Sequence, residues 1–117
     1  MIKVRLLRNE DIPNGFLDVL GQLSSEVVDP VLANRIFVGR NPRHFTLVAL
    51  QGDRVVGTAS LLLEKKFSHK GRWAGHVEDV VVDREFRGKG IGRKLVLAIL
   101  AIADDRGCYK VVLNCDP

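Results

Sequence analysis

The chain has 117 residues, a mass of 13.0 kDa and a formal net charge of +4, with a sequence pI near 9.4. A chain of this length is large enough for one hydrophobic core but not for two, so we expect a single domain over residues 1–117. No apolar run is long enough to span a bilayer, and the opening residues lack the apolar core of a signal peptide.

The basic charge predicts an anionic partner, and nucleic acid, a membrane surface and a phosphorylated small molecule all fit that sign. We expect no nucleic-acid partner, because the basic residues interleave with glycine and serine rather than with aromatic stacking platforms. The two cysteines, Cys108 and Cys115, would lie on opposite faces of one strand, roughly 23 Å apart, and could not bridge each other. We therefore expect a reduced, cytoplasmic protein. The three histidines are scattered and no Cys/His cluster has zinc-ligand spacing, so we expect no metal site.

The N-terminal half is predicted to contain a strand, two helices and a hairpin. Residues 2–8 form a mixed-polarity strand, and Asp11 is a candidate N-cap for the helix that follows. Asp29 and Pro30 start a second, short helix. Strands over residues 45–50 and 55–63 are joined by a hairpin signal. The first helix has apolar residues at helical spacing: Ile12, Phe16, Val19, Leu20 and Leu23.

The C-terminal half contains a basic loop, a strand over residues 76–83, a long helix and a last strand. The helix runs from Ile91 to Gly107, a good residue for ending a helix. The order β-α-α-β-β-β-α-β predicts an α/β fold, a mixed sheet flanked by helices. The long helix is apolar nearly all round, so the sheet covers one side and a second partner, such as another subunit, could cover the rest. Its predicted buried stripe is Ile91, Leu95, Ala98 and Ile102, with Val96, Leu97 and Leu100 beside it.

The turn before that helix, Arg-Gly-Lys-Gly-Ile-Gly, has the chemistry of a phosphate site. Gly88, Gly90 and Gly92 can take positive φ and let a ligand approach the main chain. Unpaired N–H groups and the positive end of the helix dipole lie at the same place. Neither the P-loop nor the dinucleotide-binding spelling fits. A flexible turn that binds nothing is the alternative.

Residues 87–92 resemble the acetyl-CoA signature of the GNAT acetyltransferase superfamily, Arg/Gln-x-x-Gly-x-Gly/Ala. More narrowly, "VLGQLSS", "EKKFSH", "HVEDVVV" and "GCYKVVLNCD" resemble the glucosamine 6-phosphate N-acetyltransferase family. The resemblance implies a mostly antiparallel GNAT sheet and acetyl-CoA as cosubstrate. It also implies a catalytic homodimer that acts in UDP-N-acetylglucosamine biosynthesis. Implied cofactor contacts are Val80, Val81, Val82, Arg87, Gly88, Lys89, Gly90, Ile91, Gly92 and Arg93, with the Val80 N–H as an oxyanion donor.

Glu78 and Asp79 are adjacent carboxylates in an otherwise apolar strand, which is costly unless they are paired or functional. Regular alternation would aim them at opposite faces, but a bulge would change that. The resemblance places both at the amino-sugar site, with Glu78 as base or water-positioning residue and Asp79 as an anchor. A structural salt bridge to Arg72 or Arg5 is the alternative.

Other substrate contacts follow from the resemblance alone. The basic loop would hold the sugar phosphate, although a solvated cationic loop is the usual interpretation of such a run. Ser24 could bond the same ligand or simply face water. The remaining implied contacts are Lys66, Phe67, Ser68, His69, Tyr109, Lys110 and Asn114.

The sequence departs from the family pattern at two places. Asn114 stands where relatives have a carboxylate, so it cannot be a base there. The chain ends at Pro117, where the family continues with a further helix and strand, and we expect an omitted or disordered tail. Acetylation of another protein or small amine is the first alternative function. A non-catalytic module that binds CoA or sugar phosphates is the second.

Overall fold

One five-stranded sheet organises the chain, which the computed structural model describes over residues 1–26 and 28–113. The strands lie in chain order across the sheet. The first three junctions are antiparallel and the last is parallel, which confirms the mixed, mostly antiparallel sheet. The strands are β1 (Ile2–Leu6), β2 (His44–Gln51), β3 (Arg54–Lys65), β4 (Trp73–Val82) and β5 (Cys108–Leu113).

Three helices, α1 (Leu17–Leu20), α2 (Pro30–Val38) and α3 (Ile91–Asp105), complete the predicted order. The Asp29 side chain caps α2 by accepting a hydrogen bond from the Leu32 amide at 2.9 Å, since carboxylates satisfy the free donors of a first turn. None of the helices in the described ranges is long and apolar enough to cross a membrane.

The prediction of a continuous helix after Asp11 is wrong. A helical segment, Ile12–Phe16, precedes α1, but Asn14 and Gly15 within it leave helical geometry. Gly15 has φ 103°, and a Cβ there would lie 2.6 Å from the Val55 carbonyl oxygen. The chain therefore breaks where its backbone packs directly on β3, a contact that only glycine permits.

Asp11 is a buried ion-pair partner rather than the cap of a long helix. Its carboxylate is 2% exposed and accepts hydrogen bonds from the Arg5 guanidinium at 2.7 and 2.8 Å and from the Arg8 amide at 2.7 Å. Burial raises the pKa of the Asp11 carboxyl, but the bonds from Arg5 and Arg8 outweigh it and leave the pKa below its ordinary value. This pair ties β1 to the first turn.

The sheet separates two cores. Helix α3 covers one face, and α1 and α2 cover the other. The buried stripe of α3 is Ile91, Leu95, Ile99 and Ala103, each four residues apart, so the predicted stripe through Ala98 and Ile102 is displaced by one position. Ala98 and Ile102 are only partly buried, at the edge of this stripe. Leu97 and Leu100 are 52% and 40% exposed.

Candidate active site

Strand β4 contains a bulge in the middle of the predicted site. Ser60 of β3 pairs with Glu78, and Thr58 of β3 pairs with Val81. One residue of β3, Ala59, therefore lies opposite two residues of β4, Asp79 and Val80. Asp79 has φ 52°, a left-handed conformation that aspartate tolerates better than most residues. An extra residue in one strand interrupts the ladder, and such bulges are common beside active sites.

The bulge resets the alternation of side chains along β4. Val77 and Val80 both pack into the core under α3, although a regular strand would place residues three apart on opposite faces. Glu78 lies opposite Ser60, and Asp79 lines a cavity with Ser60. Both carboxylates therefore belong to the face that carries α1 and α2, which alternation alone did not predict.

Glu78 lines an open cavity of about 530 Å³ at the start of β2 and the end of β3, here called the Glu78 cavity. This volume falls within the range of small-molecule sites, roughly 300–1,000 Å³. The lining combines cations with carboxylates, a composition that suits a ligand with a phosphate and an ammonium group. Its polar residues are Asn41, Arg43, Glu64, Lys65, His76 and Glu78.

A carboxylate–imidazole pair forms one wall of the Glu78 cavity. The Nε2 atom of His76 lies 2.9 Å from Oε1 of Glu64, and the Lys66 ammonium lies 3.6 Å from the same oxygen. The hydrogen bond from His76, with the charge of Lys66, lowers the pKa of the Glu64 carboxyl. His76 is 25% exposed and lies on the same face of β4 as Glu78, two residues away.

Asp79 lines a second cavity, of about 270 Å³, between the helices α1 and α2 and the sheet. Most of its wall is apolar, and the polar residues Thr58 and Ser60 lie beside Asp79. Of the two arginines named as alternative salt-bridge partners, Arg5 pairs with Asp11, and the Arg72 guanidinium lies 5.6 Å from the Tyr109 ring centre. The two adjacent carboxylates thus line different cavities.

The glycine turn presents the start of α3 to open space. Gly88 and Gly90 both have φ 78°, and a Cβ at either position would have no protein atom within 4 Å. The first turn of a helix has amides without intrahelical partners and the positive end of the dipole. Gly92 has no positive φ, and a Cβ there would meet Val82 at an ordinary 3.7 Å, so it does not need backbone freedom. An anion such as a diphosphate fits this turn through main-chain groups.

The cations around this turn have different positions. Arg93 and Lys94 are exposed, whereas the Nε atom of Arg87 donates a hydrogen bond to the Val82 carbonyl oxygen at 3.1 Å. The Lys89 ammonium lies 5.3 Å from the Phe86 ring centre. The Ile91 side chain is buried, which leaves only its main chain available to a ligand. Val81 is buried, and Val80 and Val82 are partly buried against the α3 core, so these valines would also contact a ligand through the backbone.

The basic loop is held by its aromatic neighbours. The His69 ring stacks on the Tyr109 ring with centroids 4.1 Å apart, and the Lys110 ammonium lies 5.7 Å from the same ring. Ser68 Oγ lies 3.3 Å from Nδ1 of His69. Phe67 is fully exposed. The structure therefore brings four predicted substrate residues, Ser68, His69, Tyr109 and Lys110, into one cluster.

Another predicted substrate residue, Ser24, makes a local contact instead. Ser24 is exposed and its Oγ accepts a hydrogen bond from the Glu26 amide at 3.2 Å, a local turn contact. Asn114 lies outside the described residues, as does Cys115. Cys108 is a free, partly buried thiol whose pKa is raised by burial.

Sequence reasoning missed the residues that build the Glu78 cavity around its carboxylate, Glu64, Arg43 and His76. Glu64 and His76 are twelve residues apart and meet because β3 and β4 form a hairpin around the basic loop. The available signal was the alternation of side chains along each strand, by which residues two apart lie on the same face. His76 therefore shares a face with Glu78, and Glu64 shares a face with Leu62, which pairs with His76 across the two strands. The pairing register needed to combine them was not in the sequence.

Comparison with known proteins identifies the family of the chain. Residues 11–117 match the model of the acetyltransferase (GNAT) family. The chain is 39% identical to a glucosamine 6-phosphate N-acetyltransferase 1 of Oryza sativa subsp. japonica, over 98% of this chain and 73% of that protein. It is 37% identical to a glucosamine 6-phosphate N-acetyltransferase of Trypanosoma brucei brucei, over 97% of this chain and 79% of that protein.

A solved structure extends the likeness to three dimensions. The crystal structure of glucosamine-6-phosphate N-acetyltransferase from Arabidopsis thaliana superimposes with a TM-score of 0.88 and 37% identity, over 99% of this chain and 83% of that chain. The bulged β4, the glycine turn and the α3 helix thus occur in a chain that is similar to these enzymes along nearly all of its length. The chain belongs to the GNAT acetyltransferase family.

Proposed function

We propose that this protein transfers the acetyl group of acetyl-CoA to the 2-amino group of glucosamine 6-phosphate. The observation that carries the proposal is the bulge at Asp79 and Val80, which lies on the strand leading into the glycine turn and brings carboxylates to one face of the sheet. The similarity to glucosamine 6-phosphate N-acetyltransferases supports the choice of acceptor.

The proposed cofactor contacts use the main chain. Residues 88–93 would hold the diphosphate of acetyl-CoA, since Gly88 and Gly90 leave open space before the first turn of α3. Val80, Val81 and Val82 would contact the pantetheine arm through backbone groups, with the Val80 N–H as oxyanion donor. Acetyl-CoA supplies an activated acyl group, and the protein's part is to orient it and to manage the amine proton.

The proposed acceptor site is the Glu78 cavity. Arg43 and Lys65 supply positive charge for the phosphate, and Glu78 supplies negative charge for the ammonium. Glu78 would accept or direct the amine proton, directly or through water, while Asp79 anchors the substrate or the bulge. The cluster around His69 and Tyr109 is a further proposed phosphate contact.

The direct test is acetyl-CoA-dependent release of free thiol with different amines. We expect rapid release with glucosamine 6-phosphate, and much slower release with glucosamine, spermine and a peptide amine. Glucosamine is the matched control, because it differs from the proposed substrate only by the phosphate. No release with glucosamine 6-phosphate while another amine reacts would refute the acceptor assignment. Calorimetric binding of CoA without any transfer would favour the non-catalytic module.

We also propose that the protein works as a homodimer in the cytoplasm, where its product would enter UDP-N-acetylglucosamine biosynthesis. Leu97 and Leu100 are exposed neighbours, three residues apart on α3, and support an interface with a second subunit, because contiguous exposed apolar patches mark interaction sites. Leu113 on β5 is exposed as well. The free Cys108 thiol is typical of a reducing compartment. Light scattering should give a mass twice the chain's 13.0 kDa, and a mass of one chain would contradict the dimer.

A further inference from the structure

The pair formed by Glu64 and His76 lies in the wall of the proposed acceptor site, the Glu78 cavity. The Nε2 atom of His76 is 2.9 Å from the Glu64 carboxylate, which can only accept a hydrogen bond when ionised. Nε2 must therefore carry the proton in the neutral ring, and Nδ1 is left with a lone pair. A carboxylate bonded to one ring nitrogen selects the tautomer in this way and raises the basicity of the other nitrogen.

His76 is also close to the carboxylate proposed to bind the ammonium. Residues two apart on one strand face lie about 6.6 Å apart. His76 and Glu78 share a face of β4 and line the same open cavity. The imidazole is only partly buried, so a proton taken from a ligand in that cavity has a path to water.

Amine acylation needs a proton acceptor suited to neutral pH. An ammonium group has no lone pair for attack, and imidazoles titrate closer to neutrality than carboxylates do, so they are the more effective bases for an amine near pH 7. Glu78 can hold the ammonium by its charge, but an imidazole beside it is the better acceptor of the proton.

We propose that His76, oriented by Glu64, accepts a proton from the acceptor amine before acyl transfer. The inference rests on the proposed function and adds a base to it. One proton moves: an N–H bond of the substrate ammonium breaks, an Nδ1–H bond of His76 forms, and the freed electron pair stays on the substrate nitrogen as the nucleophile. The imidazolium then releases the proton to solvent on the open side of the cavity.

Charged groups of both signs surround His76. Glu64 on β3 and Glu78 on β4 provide two negative charges. Lys66, 3.6 Å from Glu64, and the cavity cations Arg43 and Lys65 oppose them. A bound sugar phosphate would neutralise part of that positive charge and so reduce the repulsion between the cavity cations and an imidazolium.

The kinetic test compares pH profiles of kcat/KM for wild type, His76→Gln, Glu64→Gln and the control Asp53→Asn, an exposed residue of the hairpin between β2 and β3. General-base catalysis contributes about 10²–10⁴-fold, so His76→Gln should lower kcat/KM at pH 7 by about 100-fold or more. The deficit should shrink above pH about 9, where amines lose their protons unaided. Glu64→Gln should lower kcat/KM at pH 7 by about 10-fold, and Asp53→Asn should change it by less than about twofold.

Two results would overturn the inference. One is a His76→Gln deficit at pH 7 below about threefold, and the other is a deficit that is the same at all pH values, as a purely structural role would give. The tautomer offers a readout that needs no activity: long-range ¹H–¹⁵N spectra should show neutral His76 protonated on Nε2, and protonation on Nδ1 would contradict the assignment. If the wild-type protein acetylates no glucosamine 6-phosphate at all, the proposed function fails, whatever the tautomer.

Discussion

At the scale of single residues, the site depends on backbone conformations that most side chains avoid. Asp79 has φ 52° within a strand, and Gly88 and Gly90 have φ 78° before a helix. A non-glycine residue in the left-handed region costs about 1–3 kcal/mol and persists only where its surroundings hold it. At Asp79 the flanking pairs of Glu78 with Ser60 and of Val81 with Thr58 provide that constraint.

Replacing Gly90 with alanine tests the glycine turn. The new Cβ would meet no protein atom but would project into the space proposed for the diphosphate. We expect about 1–2 kcal/mol of destabilisation, since alanine is strained at φ 78°. Affinity for CoA should fall about tenfold or more, the equivalent of one lost charge-assisted hydrogen bond. Urea unfolding and calorimetric titration with CoA measure the two effects.

Gly52→Ala is the matched control for this change. Gly52 has φ 61° in the hairpin between β2 and β3 and also has open space around its missing Cβ. The control should lose similar stability and keep its CoA affinity. Equal CoA affinities in the two variants would show that the turn before α3 does not hold the ligand.

At the scale of elements, the framework of the site is fastened by a few polar contacts between segments. Gln22, after α1, accepts a hydrogen bond from the Arg84 amide at 2.8 Å, and Asp83 pairs with Arg54 of β3 at 3.3 Å. These contacts fix the loop between β4 and the glycine turn. The buried Asp11–Arg5 pair does the same for β1 and the first turn.

The Asp11–Arg5 pair should make stability depend on pH in the acid range. The pKa of Asp11 is lowered in the folded protein, so the unfolded chain binds a proton more readily. The contribution of the Asp11 carboxylate to the free energy of unfolding is complete above the ordinary carboxyl pKa of about 3.9. It is lost as the pH falls through the lower pKa that Asp11 has in the folded protein. Asp11→Ala should cost about 3 kcal/mol at pH 7, because it leaves a partly buried guanidinium without its partner.

Urea unfolding at pH 7 and through pH 4 to 2 checks this prediction. The difference in free energy of unfolding between wild type and Asp11→Ala should become smaller as the pH falls. Asp53→Ala is a suitable control, since Asp53 lies exposed at the hairpin turn and should change stability by less than about 0.5 kcal/mol. A difference that stays constant with pH would show that the ion pair is not its source.

At the scale of the whole molecule, the net charge of +4 attracts both proposed anionic substrates. Raising the ionic strength from about 0.01 M to 1 M shortens the Debye length from about 30 Å to about 3 Å. The KM values for acetyl-CoA and glucosamine 6-phosphate should therefore rise with salt concentration. The KM for glucosamine, which has no phosphate, should rise little. A salt-independent KM for glucosamine 6-phosphate would exclude the cationic cavity as its phosphate site.

Much of the fold was open to prediction because its signals are local. The hairpin at Gly52 and Asp53, the Asp29 cap of α2 and the end of α3 at Gly107 each depend on residues adjacent in the chain. Two local predictions were wrong for non-local reasons. Gly15 breaks the first helix because the backbone meets Val55. The α3 stripe includes Ile99 because packing on the sheet, and not the local apolar pattern alone, selects which helix residues are buried.

The sequence by itself determined the α/β order of elements, the glycine turn before α3, and the family to which the chain belongs. Periodicity, turn residues and sequence motifs each involve only a few neighbouring residues, so they can be recognised in the sequence alone. Only the tertiary structure decided that Glu78 and Asp79 share a face but line different cavities, and that Glu64 bonds to His76. Those facts depend on a one-residue bulge and on pairing register between strands, and any single shift in register would move every side chain to the opposite face.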